Sequence, residues 1–228
     1  MMSFSLKRRE SVGKMKIDTS MPFQPFPRSC SELLLPLWIA VSIKRFWGRS
    51  PEIRFLLFDQ DLIQVATTEV LINWEYDDSA SLLPFVMVRM SLHNNHVEGR
   101  RKTICASVET EGSYPVFTDG KDIIGHSDWG SFLTWGVIYN ACGQFIARLS
   151  GWPFTLSRRV HSADGGLVAR FHHARLGDDS KAFLKNCNMK KCYVLDSENE
   201  LSAVNLLVVA DWLCMIAVAY GARPDASS

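Results

Sequence analysis

The chain has 228 residues, with 25 Lys and Arg against 24 Asp and Glu, so its formal net charge is +1. A charge so near zero excludes a global field that would select nucleic acid, acidic substrates or a membrane surface. Apolar residues at 47 % and charged residues at 21 % exclude a wholly disordered chain, and the length suits one domain with a substantial core.

The first 28 residues carry mixed charge and Pro22, Pro25 and Pro27, without an apolar period. They read as a flexible arm, which Phe23 and Phe26 could dock onto a single domain formed by residues 29–228. Lys7, Arg8 and Arg9 lie too far before the apolar stretch Leu33 to Ile43 to make a signal peptide with it. A first helix is expected between Ser29 and Trp47. It starts either at the Ser29/Glu32 capping box or at Pro36, and ends at Lys44, Arg45 and Gly48.

Strands follow. Ile53 to Phe58 is a short apolar run, and Glu69 to Tyr76 alternates as a half-buried strand. Leu62 to Thr68 fits strand or helix. Phe85 to Leu92 and Thr103 to Glu109 read as a pair, and Asp119-Gly120 marks a hairpin between Val116-Phe117 and Ile123-Ile124. A second helix is expected from Ser127 to Ser150, since Phe132, Trp135, Tyr139, Cys142 and Leu149 recur at helical spacing. Another hairpin spans Arg158 to Ala174, turning at Asp164-Gly165-Gly166. Asp179 to Asn186 suggests a short helix and Lys191 to Leu195 a short strand.

The last helix is expected from Ser197 to Gly221, with Ser197 and Glu200 as a capping box and Pro224 beyond the end. It is apolar nearly all round, so it belongs in a core or in a membrane. Asn205 and Asp211 favour the core, because an aspartate near a bilayer centre costs about 2.5–3.5 kcal/mol. A buried Asp211 then needs a partner. Together these elements predict an α+β fold, a mostly antiparallel sheet packed against about three helices with the C-terminal one buried.

The cysteines Cys30, Cys105, Cys142, Cys187, Cys192 and Cys214 show no C-x-x-C pair and no framework spacing. A reducing compartment is expected, and with it a cytoplasmic protein without a membrane partner. No phosphate loop, dinucleotide fingerprint or catalytic carboxylate pair is present, so no cofactor is expected.

The leading function is a non-enzymatic protein-binding or regulatory domain, of the inhibitor or accessory-subunit type. Trp74 and Tyr76 beside Asp77 and Asp78 would supply its aromatic-acidic edge. A hydrolase is the first alternative, with Ser127 or Cys142 as nucleophile. Gly125-His126-Ser127 leads from a strand, but Trp129 stands where a nucleophile elbow needs glycine. Cys142 precedes His161, His172 and His173, as in thiol hydrolases, yet falls mid-helix on the expected apolar face. Nucleic-acid binding is the second alternative, through Arg100, Arg101, Lys102, Arg158 and Arg159, joined by Lys7 to Arg9 and Lys190-Lys191 if they converge. His93, His96 and Glu98 fall short of a metal set, so no metal is expected.

Overall fold

The computed structural model describes residues 32–46, 49–73, 85–92, 102–108, 115–119, 122–130, 133–152, 155–174, 185, 189, 191–197 and 203–221. Alternation governs most of them. Leu37, Ile39 and Val41 point one way and are sealed from solvent, while Ser42 and Lys44 point the other. A period of two residues is that of a strand.

The described strands are β1 (Glu32–Leu34), β2 (Leu37–Phe46), β3 (Arg49–Phe58), β4 (Gln64–Asn73), β5 (Phe85–Leu92), β6 (Lys102–Val108) and β7 (Pro115–Thr118). After them come β8 (Ile123–Trp129), β9 (Trp135–Asn140), β10 (Phe145–Ser150), β11 (Arg158–His161), β12 (Leu167–His173), β13 (Lys191–Ser197) and β14 (Ala203–Asn205). From β2 to β13 each strand pairs antiparallel with the next, and β13 returns to β2 through Lys191↔Val41 and Leu195↔Leu37. The result is a closed barrel of twelve strands in meander order, without free edges.

A barrel of that size has more interior than its own inward side chains can fill. The space is taken by α1 (Leu206–Gly221), the one α-helix among the described strands and helices. Its residues from Leu206 to Val218 are buried all round the circumference. That is why the segment carries no polar stripe: the wall surrounds it, and it touches β3, β4, β5, β6, β7 and β9. One continuous core joins α1 to Phe55, Val88, Met90, Phe117, Ile138, Leu149, Phe171 and Leu195 on the wall. No helix among the described residues is long and apolar enough to cross a membrane.

The expected α+β fold with about three helices is therefore corrected to a β-barrel around a single helix. The first expected helix is β2, where Leu37, Ile39, Val41 and Ile43 keep a period of two that Trp38 and Ala40 disguise as a continuous apolar run. The second, Ser127 to Ser150, is the end of β8 followed by the β9–β10 hairpin. Its turn is made by Asn140, whose side-chain oxygen accepts from Cys142 N at 3.0 Å and Gln144 N at 2.9 Å, with Gly143 at φ +74°. The third, Asp179 to Asn186, lies outside the described residues except for Lys185, which is helical. The final helix is present but begins at Leu206. Ser197 closes β13 and donates to Val168 O at 3.2 Å, and the cap is Asn205, whose Oδ1 accepts from Leu207 N at 2.9 Å. The N-terminal arm lies outside the described residues.

The ribbon β1–β14 fixes where the chain enters the barrel. Leu33 pairs with Val204, both are buried, and α1 starts two residues later. Two glycines on the wall then let α1 approach closely. A Cβ on Gly125 would meet Leu207 Cδ1 at 2.7 Å, and one on Gly136 would meet Met215 Cε at 2.8 Å and Asp211 Oδ2 at 3.0 Å. Gly136→Val is expected to push α1 off the wall and destabilise the protein by about 1–3 kcal/mol, measured as a lower midpoint in urea.

Candidate functional site

Among the described residues two groups of polar side chains can carry chemistry, one inside the barrel and one on its outer wall. The inner group centres on Asp211 in α1, which is wholly buried. Trp129 Nε1 donates to Asp211 Oδ1 at 2.7 Å. The Ser127 hydroxyl also faces this carboxyl closely enough to lower its pKa, but off the line of a good hydrogen bond. Ser127 Oγ and Asp211 Oδ2 are thus both left without an aligned partner. Burial is the largest influence and pushes the Asp211 pKa up to about 7, against the opposing pull of Trp129, Ser127 and the Arg158 charge.

Arg158 points inward from β11 and is only 3 % exposed. Its guanidinium donates to three main-chain carbonyls, Thr155 O, Ser157 O at 2.8 Å and Leu133 O at 2.6 Å. Burial lowers its pKa, and the neighbouring Asp211 charge opposes that effect. Beyond Asp211, Trp212 stacks on Phe171 with ring centroids 4.4 Å apart, and its Nε1 donates to Leu156 O at 2.8 Å. This inner group is closed to substrate. It seats the helix in the wall, and Ser127 is fully buried within it.

The outer group lies on β9 to β13. Because Gly136, Ile138, Leu149, Val160 and Phe171 face inward, their neighbours face out. Trp135, Ser150, Arg159, Arg170 and Asp196 stand opposite one another in a single row across the five strands. In the next row Asp128, Val137, Arg148 and His161 are similarly aligned. Ser150 Oγ and His161 Nε2 are 3.0 Å apart, with His161 Nδ1 3.3 Å from Gly165 O. A carbonyl holds the imidazole there where a hydrolytic triad would place a carboxylate. Aromatic side chains border the rows. Trp152 is 80 % exposed and Trp135 36 %, and Tyr139 stacks on His126 at 5.0 Å.

His172 Nε2 and Asp196 Oδ2 form an ion pair at 3.0 Å on the same wall. The hydrogen bond that His172 donates to Asp196 is the main reason that the His172 pKa is raised. Such a pair stabilises the fold below the ordinary histidine range and loses its effect as pH rises through the elevated value. Asp196→Asn is expected to bring the His172 pKa down, read from its imidazole resonances. The stability deficit of the variant should also be larger at pH 5.5 than at pH 8.

The sequence-predicted residues are scattered. Arg158 and Arg159, read as one basic cluster, are adjacent in a strand and so point to opposite sides of the wall. Only Arg159 is available outside. Trp74, Tyr76, Asp77, Asp78, Arg100 and Arg101 lie outside the described residues, as do His93, His96 and Glu98, and Lys102 opens β6. Cys142 sits exposed in the β9–β10 turn, on no helix. Among the described residues no three His, Cys, Asp or Glu side chains gather to hold a metal ion.

A shallow cleft of about 430 Å³ lies elsewhere on the wall, over β2, β3 and β4, with Lys44, Glu52, Arg54 and Glu69 at its rim. Its floor is where Thr68 substitutes for ladder pairing. The Thr68 hydroxyl accepts from Phe55 N at 3.0 Å and donates to Phe55 O at 3.1 Å.

The placing of His161 and Arg170 depends on the ladder register, whereas Trp135, Ser150 and Arg148 were missed because a helical reading of residues 127–150 hides their common face. Alternation about the Asn140–Gln144 turn is the signal that finds them. Comparisons of the chain with models of known families, with curated proteins and with solved structures found no match.

Proposed function

We propose that the chain is a non-enzymatic protein-binding or regulatory domain that recognises its partner through the outer wall of β9–β13. One observation carries this reading. The barrel interior, where a small ligand would ordinarily bind, is filled by α1, so recognition falls to the outside, where exposed Trp135 shares a face with Arg148 and Arg159 and exposed Trp152 follows the end of β10. Tryptophan and arginine are the side chains that most often anchor protein interfaces.

The charge on this wall favours a protein over a nucleic acid. Arg148, Arg159 and Arg170 lie inside the rows while Asp128 and Asp196 end one row each, so a phosphate backbone running along a row would meet a carboxylate. Buried thiols at Cys192 and Cys214 fit a reducing, cytoplasmic setting.

A photo-crosslinking residue placed at position 152 is expected to capture a discrete protein in cells, and the adduct should vanish when Arg159→Glu is added. The same probe at Arg54 on β3, outside the β9–β13 wall, should capture nothing in common with it. Identical adducts from both positions, or adducts to nucleic acid alone, would sink the proposal.

A further inference from the structure

We propose that Arg148, Arg159, Ser150 and His161 form a receptor for one carboxylate, presented by an acidic segment of the partner whose apolar neighbour lies against Trp135. The inference rests on the protein-binding reading above and names the chemistry that the partner must offer.

Four observations support it. First, Arg159 stands directly opposite Ser150 on one side and Arg170 on the other. Like charges facing each other across a ladder cost stability unless an anion lies between or near them. Arg170 has Asp196 opposite it on β13, whereas the other neighbour of Arg159 in the row is a neutral hydroxyl. Second, Arg148 occupies the next row opposite His161, so two guanidinium groups flank the Ser150–His161 pair on adjacent strands. The forked donors of an arginine match a carboxylate in a bidentate manner.

Third, Ser150 is held at 3.0 Å from His161 and half-buried, which fixes that pair before any ligand arrives. Fourth, Asp128 ends the Arg148 row on β8, and Asp196, paired with His172, ends the Arg159 row on β13. A carboxylate at the end of a row opposes an extended anionic surface more than one isolated charge, so a single carboxylate fits better than a layer of lipid headgroups. Trp135, next to Ser150 in the same row and 36 % exposed, supplies the apolar contact beside the charge.

The test uses the full chain and a fluorescent decapeptide of alternating Glu and Leu, followed by anisotropy. Its Gln-Leu and phosphoserine-Leu counterparts and phosphatidylserine vesicles serve as the other arms. The Glu-Leu peptide should bind at least tenfold more tightly than Gln-Leu. It should also weaken at least tenfold with Arg148→Glu plus Arg159→Glu, and weaken with the neutral pair Arg148→Gln plus Arg159→Gln, while Arg54→Glu leaves it unchanged. Equal binding of Gln-Leu, an equal loss with Arg54→Glu, or preference for the phosphoserine peptide or the vesicles would overturn the carboxylate site. If the peptide fails while position 152 still captures its protein, this site is wrong and the protein-binding reading stands. If both fail, so does that reading.

Discussion

Asp211→Asn is expected to make the protein more stable at pH 8 and to remove a fall in stability that the natural protein shows between about pH 4 and 7. Unfolded, Asp211 has an ordinary carboxyl pKa and is ionised above about 4. Folded, burial holds its pKa near 7, so the native state keeps the proton across that interval while the unfolded state has lost it. Stability must then decline with rising pH until the native carboxyl also ionises, and change no further on this account above it. Going from 3.8 to about 7 corresponds to about 4 kcal/mol, an order-of-magnitude figure for a wholly buried group.

Asparagine has nearly the same shape and no charge. Its oxygen can still accept from Trp129 Nε1, and its amide can donate toward Ser127 Oγ, which lacks an aligned partner. Urea titrations of both proteins from pH 4.5 to 8 read the difference directly, cancelling the other carboxyls. Parallel curves would refute the account. Asp211→Leu is a different experiment, since it strands Trp129 Nε1 and Ser127 in the dry interior and should destabilise at every pH.

Trp212→Ala should be the most damaging single truncation, costing about 3–5 kcal/mol. The indole is fully buried, stacked on Phe171 at 4.4 Å and edge-on to Tyr193 at 5.1 Å. It is the widest side chain of α1 where the helix meets β12 and β13. Removing it opens a cavity between elements that cannot collapse, because the wall is a closed ring. Trp212→Phe separates packing from hydrogen bonding. It keeps most of the stack and loses only the donation to Leu156 O, so about 1–2 kcal/mol should be lost. A Trp212→Ala protein with an unchanged urea midpoint would show that α1 is not what supports the wall.

The wall was largely legible as pieces. Phe85 to Leu92 coincides with β5, Thr103 to Glu109 with β6 within one residue at each end, and Asp164-Gly165-Gly166 turns the β11–β12 hairpin. What misled was length. Residues 127–150 contain enough aromatic side chains at three- and four-residue spacing to imitate a helix, although Asn140 and Gly143 mark a turn at their centre. In β2, Trp38 and Ala40 face a second small apolar cluster outside the barrel, with Leu56, Met189 and Val194, so both faces of the strand are apolar and its alternation fades.

The site was less legible than the fold. Its members come from β9, β10, β11 and β12, and no sequence spacing shows that Ser150, Arg159 and Arg170 share a row until the ladder register is known. Asp211 was identified as a residue needing a partner. Its partners Trp129 and Arg158 reach it from strands far apart in the chain.

Chain order has a consequence for biosynthesis. Every barrel strand precedes α1 in the sequence, so a ribosome releases all the staves before the rod that they enclose. Until that rod emerges, the inward rows of Leu37, Phe55, Val88 and Phe171 have nothing to close upon, and β2 cannot profitably meet β13. Completion must therefore wait for the end of translation of this region, and the nascent meander, with open edges and an apolar lining, is the species that most needs a chaperone.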